Sequence, residues 1–370
     1  MNVKVSLAAL VVIVSALIVG LALAPGLWGP STPEAIAVGV DAPLAPRELF
    51  DPTEVNTLGL YLEEHPDSRI RPIQIYHEEF KPERAVAAFR DALNQGVRFF
   101  VTIQNSASAV ATLSLFEDSR ALIINTTSTT PALTGRDDFV LRIIPDAERE
   151  QRAIAREIQR LPGQRLLVLQ DTGNRPYTDP AFAVLAAELR AQGRWRIVHH
   201  PLKVSAYKPA DLRALMAREH DALYILAGSY LPAIGNIAQL FHYYHPTAPI
   251  LLTPWARSPT ILEKAGDAID RIILPGHFGP RRLVGSLDDF YRRFEARFGF
   301  EPMATAIGVR QALELLDQAF ARGHDTPEKV KDYLLATPKH QTSLGLVAFD
   351  SYGDASGDLY FLRNPRLELP

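Results

Sequence analysis

The sequence predicts an α/β protein of two doubly wound parallel-sheet lobes preceded by an N-terminal hydrophobic helix. Three observations carry this. Short β-branched and aromatic runs alternate with amphipathic segments of helical length, the pattern of βαβ units with helices on both faces of a parallel sheet. The strands are too numerous for one comfortable open sheet. A chain of 370 residues with 47% hydrophobic and 22% charged residues is long and apolar enough for two cores.

Taken in order, the first element is the apolar stretch Leu7 to Leu23, broken only by Ser15. It is about as long as the ~17 residues at the lower limit for a membrane-spanning helix. Lys4 is the only charged side chain before it and Glu34 the next one after, which places the start of the chain inside and everything beyond Glu34 outside a cytoplasmic membrane. Ala22-Leu23-Ala24 has the form of a leader-cleavage site, but Pro25 follows directly and opposes cleavage. Residues 1–33 are therefore expected to be a signal peptide, or an anchor through residues 7–28, with Pro25 to Pro33 as linker.

Ile36 to Val40 then reads as a strand, Pro52 to Glu64 as a helix, Ile70 to Tyr76 as a strand, and Pro82 to Gln95 as a helix opened by proline and closed by Gly96. Two short strand runs follow, Arg98 to Thr102 and Ala121 to Ile124, with the helical segment Val110 to Phe116 between them. The rhythm continues through strand Phe139 to Ile143, helix Ala147 to Gln159, strand Arg165 to Leu169, helix Pro180 to Gln192 with Asp179 as N-cap, and strand Trp195 to His199. Helix Pro209 to Glu219, strand Ala222 to Leu226, helix Pro232 to Tyr244 and strand Ile250 to Leu252 complete a second set, with a boundary between sets near Ile143-Ile144-Pro145. The tail is helical over Leu287 to Phe298, Met303 to Arg322 and Pro327 to Leu335, and closes with strands Leu344 to Asp350 and Asp358 to Arg363 around a turn at Ser351-Tyr352-Gly353-Asp354.

Several classes of function are excluded by composition. A formal net charge of -3, from 39 basic and 42 acidic residues, gives no basic field for nucleic acid. The absence of cysteine removes a disulfide scaffold, a Cys-ligated metal, a cysteine nucleophile and an acylated lipobox cysteine. His77-Glu78-Glu79 lacks the second histidine of a HExxH zinc site, and His242 with His245 has no third ligand in view. With no nucleophile elbow, phosphate loop or dinucleotide fingerprint, neither an enzyme nor a cofactor is expected. The charged faces Glu148 to Arg160 and Asp288 to Arg297 read as solvated helix surface.

The polar clusters that end the two central strands are the informative feature. Gln104-Asn105-Ser106-Ala107-Ser108 leads into a helix, so its hydroxyls and backbone N–H groups sit at a helix N-terminus, which favours a carboxylate. Asn125 to Thr130 precedes Pro131. One such cluster is what ordinary capping supplies. Two at neighbouring strand ends, where the crevice of an open parallel sheet binds ligands, make a site hypothesis.

From Ile36 to Asn364 the chain resembles the type I periplasmic binding proteins of the branched-chain amino-acid-binding and receptor ligand-binding group. The resemblance lies in the opening strand Ile36 to Val40 with Pro43-Leu44, and in the segment ending Asn105-Ser106-Ala107-Ser108. It continues through Leu122 to Asn125 followed by Ser128-Thr129-Thr130-Pro131, then Phe139 to Pro145, Ala227-Gly228-Ser229-Tyr230, Leu252-Thr253-Pro254-Trp255 and Val347 to Asp350 with Gly353-Asp354. It implies two lobes, residues 34–144 with 278–342 and residues 145–277 with 343–370. They would be joined by three hinge crossovers at Ile143 to Asp146, Pro275 to Phe278 and Ser343 to Gly345, and would close on a ligand between them.

The resemblance also implies site residues. A ligand carboxylate would meet Ser106, the backbone around Ser128 and the hydroxyl of Thr129, while Asn105 and Ser108 of the same polar cluster are further candidate ligand-binding residues. Tyr177 and Tyr230 would be the second lobe's aromatics. The acidic residue that meets the α-ammonium in amino-acid binders falls on Trp255, which carries no negative charge but can stack on a ring or hold a cation. A carboxylate lacking the amine, an aromatic acid or an amide is then as well matched as an amino acid. The expected role is capture of such a solute outside the membrane for an ABC permease; the alternative is a membrane-anchored sensing or scaffolding subunit without transport.

Overall fold

The short apolar runs become strands, and all the described strands but those of one small hairpin divide between two separate sheets. The computed structural model of the chain describes residues 34–44, 52–78, 81–228, 232–281, 284–337, 339–363 and 365–368. The expected N-terminal hydrophobic segment and Tyr230 lie outside these residues. Among the described residues no helix is long and apolar enough to cross a membrane.

The elements run β1 (Ile36–Leu44), α1 (Thr53–Glu64), β2 (Ile70–Glu78), α2 (Pro82–Asn94), β3 (Phe99–Thr102), α3 (Ser106–Ser119), β4 (Leu122–Asn125) and β5 (Val140–Arg142). They continue α4 (Ala147–Gln159), β6 (Arg165–Asp171), α5 (Arg175–Gln192), β7 (Arg196–Leu202), α6 (Pro209–Met216), β8 (Ala222–Leu226), α7 (Ala233–Tyr244), β9 (Ile250–Leu251), α8 (Pro259–Lys264) and β10 (Ile272–Gly276). The tail holds α9 (Gly285–Phe298), α10 (Thr305–Ala321), α11 (Pro327–Ala336), β11 (His340–Thr342), β12 (Gly345–Val347) and β13 (Tyr360–Leu362).

One five-stranded sheet has the order β2-β1-β3-β4-β5 and a six-stranded sheet the order β13-β10-β9-β8-β6-β7. All pairs in the first are parallel, and in the second only β13 runs antiparallel, against β10. Strands β3, β4 and β8 are buried along their whole length, as parallel strands covered on both faces must be. The tail helices return to the first sheet: Val309, Leu313, Leu316 and Phe320 of α10 share a core with Val38, Val101 and Leu122.

The structure corrects four readings. Helix α5 begins at Arg175, so Asp179 lies inside it and caps nothing; its carboxylate instead accepts from Gln170 Nε2 at 2.6 Å. Ile272–Gly276 is a strand, and the expected crossover at Pro275 to Phe278 begins within its last two residues. The face Glu148 to Arg160 is not all solvated: Glu150 and Gln151 are fully buried and Glu157 nearly so. Finally, Ser343 and Leu344 form the turn of the β11–β12 hairpin, whose Leu344 and Val347 pack with first-sheet residues and tail helices. The chain reaches the second sheet only at β13, after Arg142 and Asp354 have paired as a parallel bridge.

Candidate functional site

Local chemistry shapes both polar loops at the carboxyl ends of β3 and β4. Asn105 caps α3, its Oδ1 accepting from Ser108 N at 2.8 Å, so the helix starts four residues earlier than its apolar pattern does and places Ser106 and Ser108 in the first turn. Asn125 templates the next loop. Its Oδ1 accepts from Thr127 N at 3.1 Å and Ser128 N at 2.9 Å, while its Nδ2 donates to Ser128 O at 2.7 Å. The loops are then tied together, Thr127 Oγ1 to Gln104 O at 2.9 Å and Ser128 Oγ to Ser106 Oγ at 3.2 Å. Ser106, Ser108, Ser128 and Thr129 are each buried, and Ser108 Oγ has no hydrogen-bond partner.

The second sheet meets this cluster in two places. Asn174, in the loop after β6, accepts from Ala107 N through Oδ1 at 3.1 Å, satisfying one of the first free N–H groups of α3. Thr129 O accepts from Ala147 N at 2.8 Å, doing the same for α4. Thr178 Oγ1 donates to Asp171 O at 2.7 Å and holds the loop that carries Asn174.

Of the remaining expected residues, Trp255 follows β9 in a short 3₁₀ turn and packs against the cores of both sheets. Tyr177 is fully buried and donates its hydroxyl to Glu150. Gly228 lies against Tyr177, with only 2.7 Å from a would-be Cβ to the ring, which leaves no room for a side chain there.

A group of residues with no recognisable sequence signal completes the arrangement. Glu150 Oε1 accepts from Tyr177 and from Gln151 Nε2 at 2.9 Å, and Gln151 Oε1 accepts from Tyr224 at 3.1 Å. Across from Glu150 Oε2, at 3.6 Å, lies His277 Nε2, and the His277 ring sits 5.2 Å from that of Trp255. Burial pushes the Glu150 carboxyl up to about 8 and the His277 imidazole down to about 3, so both are neutral at pH 7. Tyr177 and Tyr224 are raised for the same reason. Glu150 is concealed in the sequence because Glu-Arg-Glu-Gln-Arg is indistinguishable from an exposed helix face. Among the described residues no group of three or more His, Asp or Glu side chains is placed to hold a metal ion.

Two parallel sheets meeting at their strand ends, with buried hydroxyls on one side and aromatics with a buried acid on the other, define a two-sheet α/β binding protein. The chain belongs to the periplasmic binding protein family, whose model matches residues 71–364. It is therefore an extracytoplasmic solute-binding protein and not an enzyme. It is 23% identical, over 288 residues covering 76% of this chain and 74% of the relative, to a leucine-, isoleucine-, valine-, threonine- and alanine-binding protein of Pseudomonas aeruginosa. Its fold is similar to that of a leucine-binding protein from Thermotoga maritima, with a TM-score of 0.77, 20% identity, and coverage of 88% of this chain and 95% of the other. It is equally similar, TM-score 0.77 at 16% identity with 88% and 92% coverage, to an ABC-transporter solute-binding protein from Rhodopseudomonas palustris in complex with 3,4-dihydroxybenzoic acid.

Proposed function

We propose that the protein captures a small organic ligand bearing a carboxylate in the junction between its two sheets and delivers it to an ABC permease, with the N-terminal segment as its leader or anchor. The observation that carries this is the convergence of buried Ser106, Ser128 and Thr129 at two adjacent strand ends, beside the first turn of α3. Hydroxyls and helix N–H groups in a place shielded from water suit a carboxylate, which is held there by charge-assisted hydrogen bonds. The ligands of the relatives, aliphatic amino acids and threonine in one and an aromatic acid in another, share that group.

In this reading the lobes are residues 34–144 with 278–347, which keeps the β11–β12 hairpin in the first, and residues 145–277 with the terminal strand. The Ala107–Asn174 hydrogen bond is the clasp of the closed form. Asn105, Ser108, Tyr177 and Trp255 line or support the cleft.

A thermal-shift screen of amino acids, amides, and aliphatic and aromatic carboxylates tests the reading. A binder present at about a hundred times its Kd should stabilise the protein by ~2.7 kcal/mol and raise the melting temperature accordingly. A panel that leaves the melting temperature unmoved throughout would count against a small-solute cleft. Once a binder is in hand, Thr129→Val should weaken its calorimetric affinity by ~1 to 3 kcal/mol, because one buried hydrogen bond is lost. The main-chain bond from Ala147 N to Thr129 O is kept, so melting without ligand should hardly change. Equal affinities in the two proteins would remove Thr129 from the site.

A further inference from the structure

A fully buried carboxyl with one oxygen left over demands a reason. Glu150 Oε1 is held by two donors, the Tyr177 hydroxyl and Gln151 Nε2, while Glu150 Oε2 has no hydrogen-bond partner. Both ring nitrogens of His277, whose side chain is 5% exposed, are likewise without a hydrogen-bond partner. Buried polar groups are almost always satisfied, and an orphaned carboxyl oxygen is among the costliest to leave so. The two donors on Oε1 fix the carboxyl plane, so Oε2 is aimed rather than free to turn. What it is aimed at is the region shared with His277 and Trp255.

This region adjoins the hydroxyl cluster. Glu150 stands three residues after Ala147 on α4, and residues three apart share a helix face. Ala147 N is bonded to Thr129 O, so the first turn of α4 lies against the loop that carries Ser128 and Thr129. Trp255, which contacts the cores of both sheets, flanks the same junction. A neutral imidazole beside the acid adds an acceptor without adding positive charge.

We propose that Glu150 is the acidic recognition residue of the cleft, its Oε2 accepting from a ligand ammonium that lies beside His277 and the Trp255 ring. This rests on the solute-binding reading above and deepens it: the ligand becomes a zwitterion, its carboxylate on the hydroxyls of the first sheet and its amine on Glu150. Trp255, at the position where the resemblance expects an acid, then supplies an aromatic face instead of the charge.

Pairing with an ammonium draws the proton off Glu150. The groups that face this carboxyl are Asp146 on its own helix, Tyr177, Tyr224 and His277. With its carboxyl pushed up to about 8, Glu150 is mostly protonated in the unliganded protein at pH 7, and the proton leaves to buffer as the carboxylate forms on the ammonium.

The experiment uses matched pairs differing only in the amine: L-leucine with 4-methylpentanoate, L-phenylalanine with 3-phenylpropanoate, and 4-aminobutyrate with butyrate. Affinities are measured by calorimetry on the wild type and on Glu150→Gln, with circular dichroism as the folding check. The wild type should favour the amine-bearing member of the pair it binds by at least tenfold, and Glu150→Gln should erase that preference while keeping its hold on the partner lacking the amine. The wild type alone gives a second readout: heats of amino-acid binding in phosphate and Tris should differ as release of close to one proton per ligand requires. Tight binding of the partners lacking the amine, unchanged in Glu150→Gln, would overturn the role of Glu150 and leave the carboxylate cleft standing. Amine preference without proton release, or surviving in a folded Glu150→Gln protein, would also overturn it. Failure of every compound to bind at 10 mM would overturn both readings together.

Discussion

Asp354→Ala is expected to lower the stability of the protein by ~3 to 5 kcal/mol, the cost of leaving a buried charge without its partner. Arg142 is 1% exposed at the end of β5, and its guanidinium is held on several sides. Nε and Nη2 donate to Asp354 Oδ1, Nη1 to Thr130 O at 3.1 Å, and Nη2 also to Thr134 Oγ1 at 2.8 Å. Asp354 Oδ2 in turn accepts from Gly135 N at 2.7 Å. Removing the carboxylate strands the guanidinium and cuts the tail loose from the segment that follows Thr129. The backbone link between Arg142 N and Gly353 O, at 2.8 Å, cannot compensate, because it already exists. It exists because Gly353 adopts φ +89 close against Leu141, where a side chain would be both strained and crowded. Chemical denaturation of Asp354→Ala and Asp354→Asn checks this: the asparagine keeps an acceptor and should lose less. A loss under 1 kcal/mol in the alanine variant would show that the bridge does not hold the tail.

The pH dependence of stability is expected to separate wild type from Glu150→Gln by as much as ~5 kcal/mol between pH 4.5 and 9. Burial raises the folded carboxyl from 4.5 to about 8, so its contribution is fully present below about pH 4.5 and is lost as pH rises through 8, where an ionised carboxylate must be buried. His277 works in the opposite sense. Burial lowers its folded value from 6.5 to about 3, so its contribution is present above pH 6.5 and is lost as pH falls toward 3. Between about pH 4.5 and 6.5 the two slopes cancel in the wild type, leaving these groups a plateau with a fall on either side. Glu150→Gln removes the alkaline fall and makes stability climb between pH 4.5 and 6.5. Denaturation midpoints at pH 4.5, 6.5, 8 and 9 provide the measurement. Parallel profiles for the two proteins would mean that Glu150 is not ionising from a buried site.

The architecture was legible because its signals are local. Val97 to Ile124 reads as strand, helix, strand from runs of β-branched and aromatic residues and from capping groups a few positions apart, and β3, α3 and β4 lie there. The serine and threonine clusters were legible for the same reason, since Asn105 and Asn125 shape their own loops through bonds spanning two or three residues. Helix α5 was harder. Pro180 falls in its second turn and imitates a helix start, whereas the true first residue, Arg175, follows an Asn174 whose side chain makes no cap. The run Ile272 to Gly276 is short and contains proline, and what makes it a strand is its place between β9 and β13.

The sequence by itself determined the α/β class, the order of most elements and the hydroxyl-bearing strand ends, because these follow from side-chain periodicity and from hydrogen bonds between near neighbours. Only the tertiary structure decided that Glu150 is buried under Tyr177 and opposite His277. Whether a helical carboxylate faces water or protein depends on which neighbours cover its face, and those neighbours come from positions 27 and 127 residues away, beyond the reach of any local pattern.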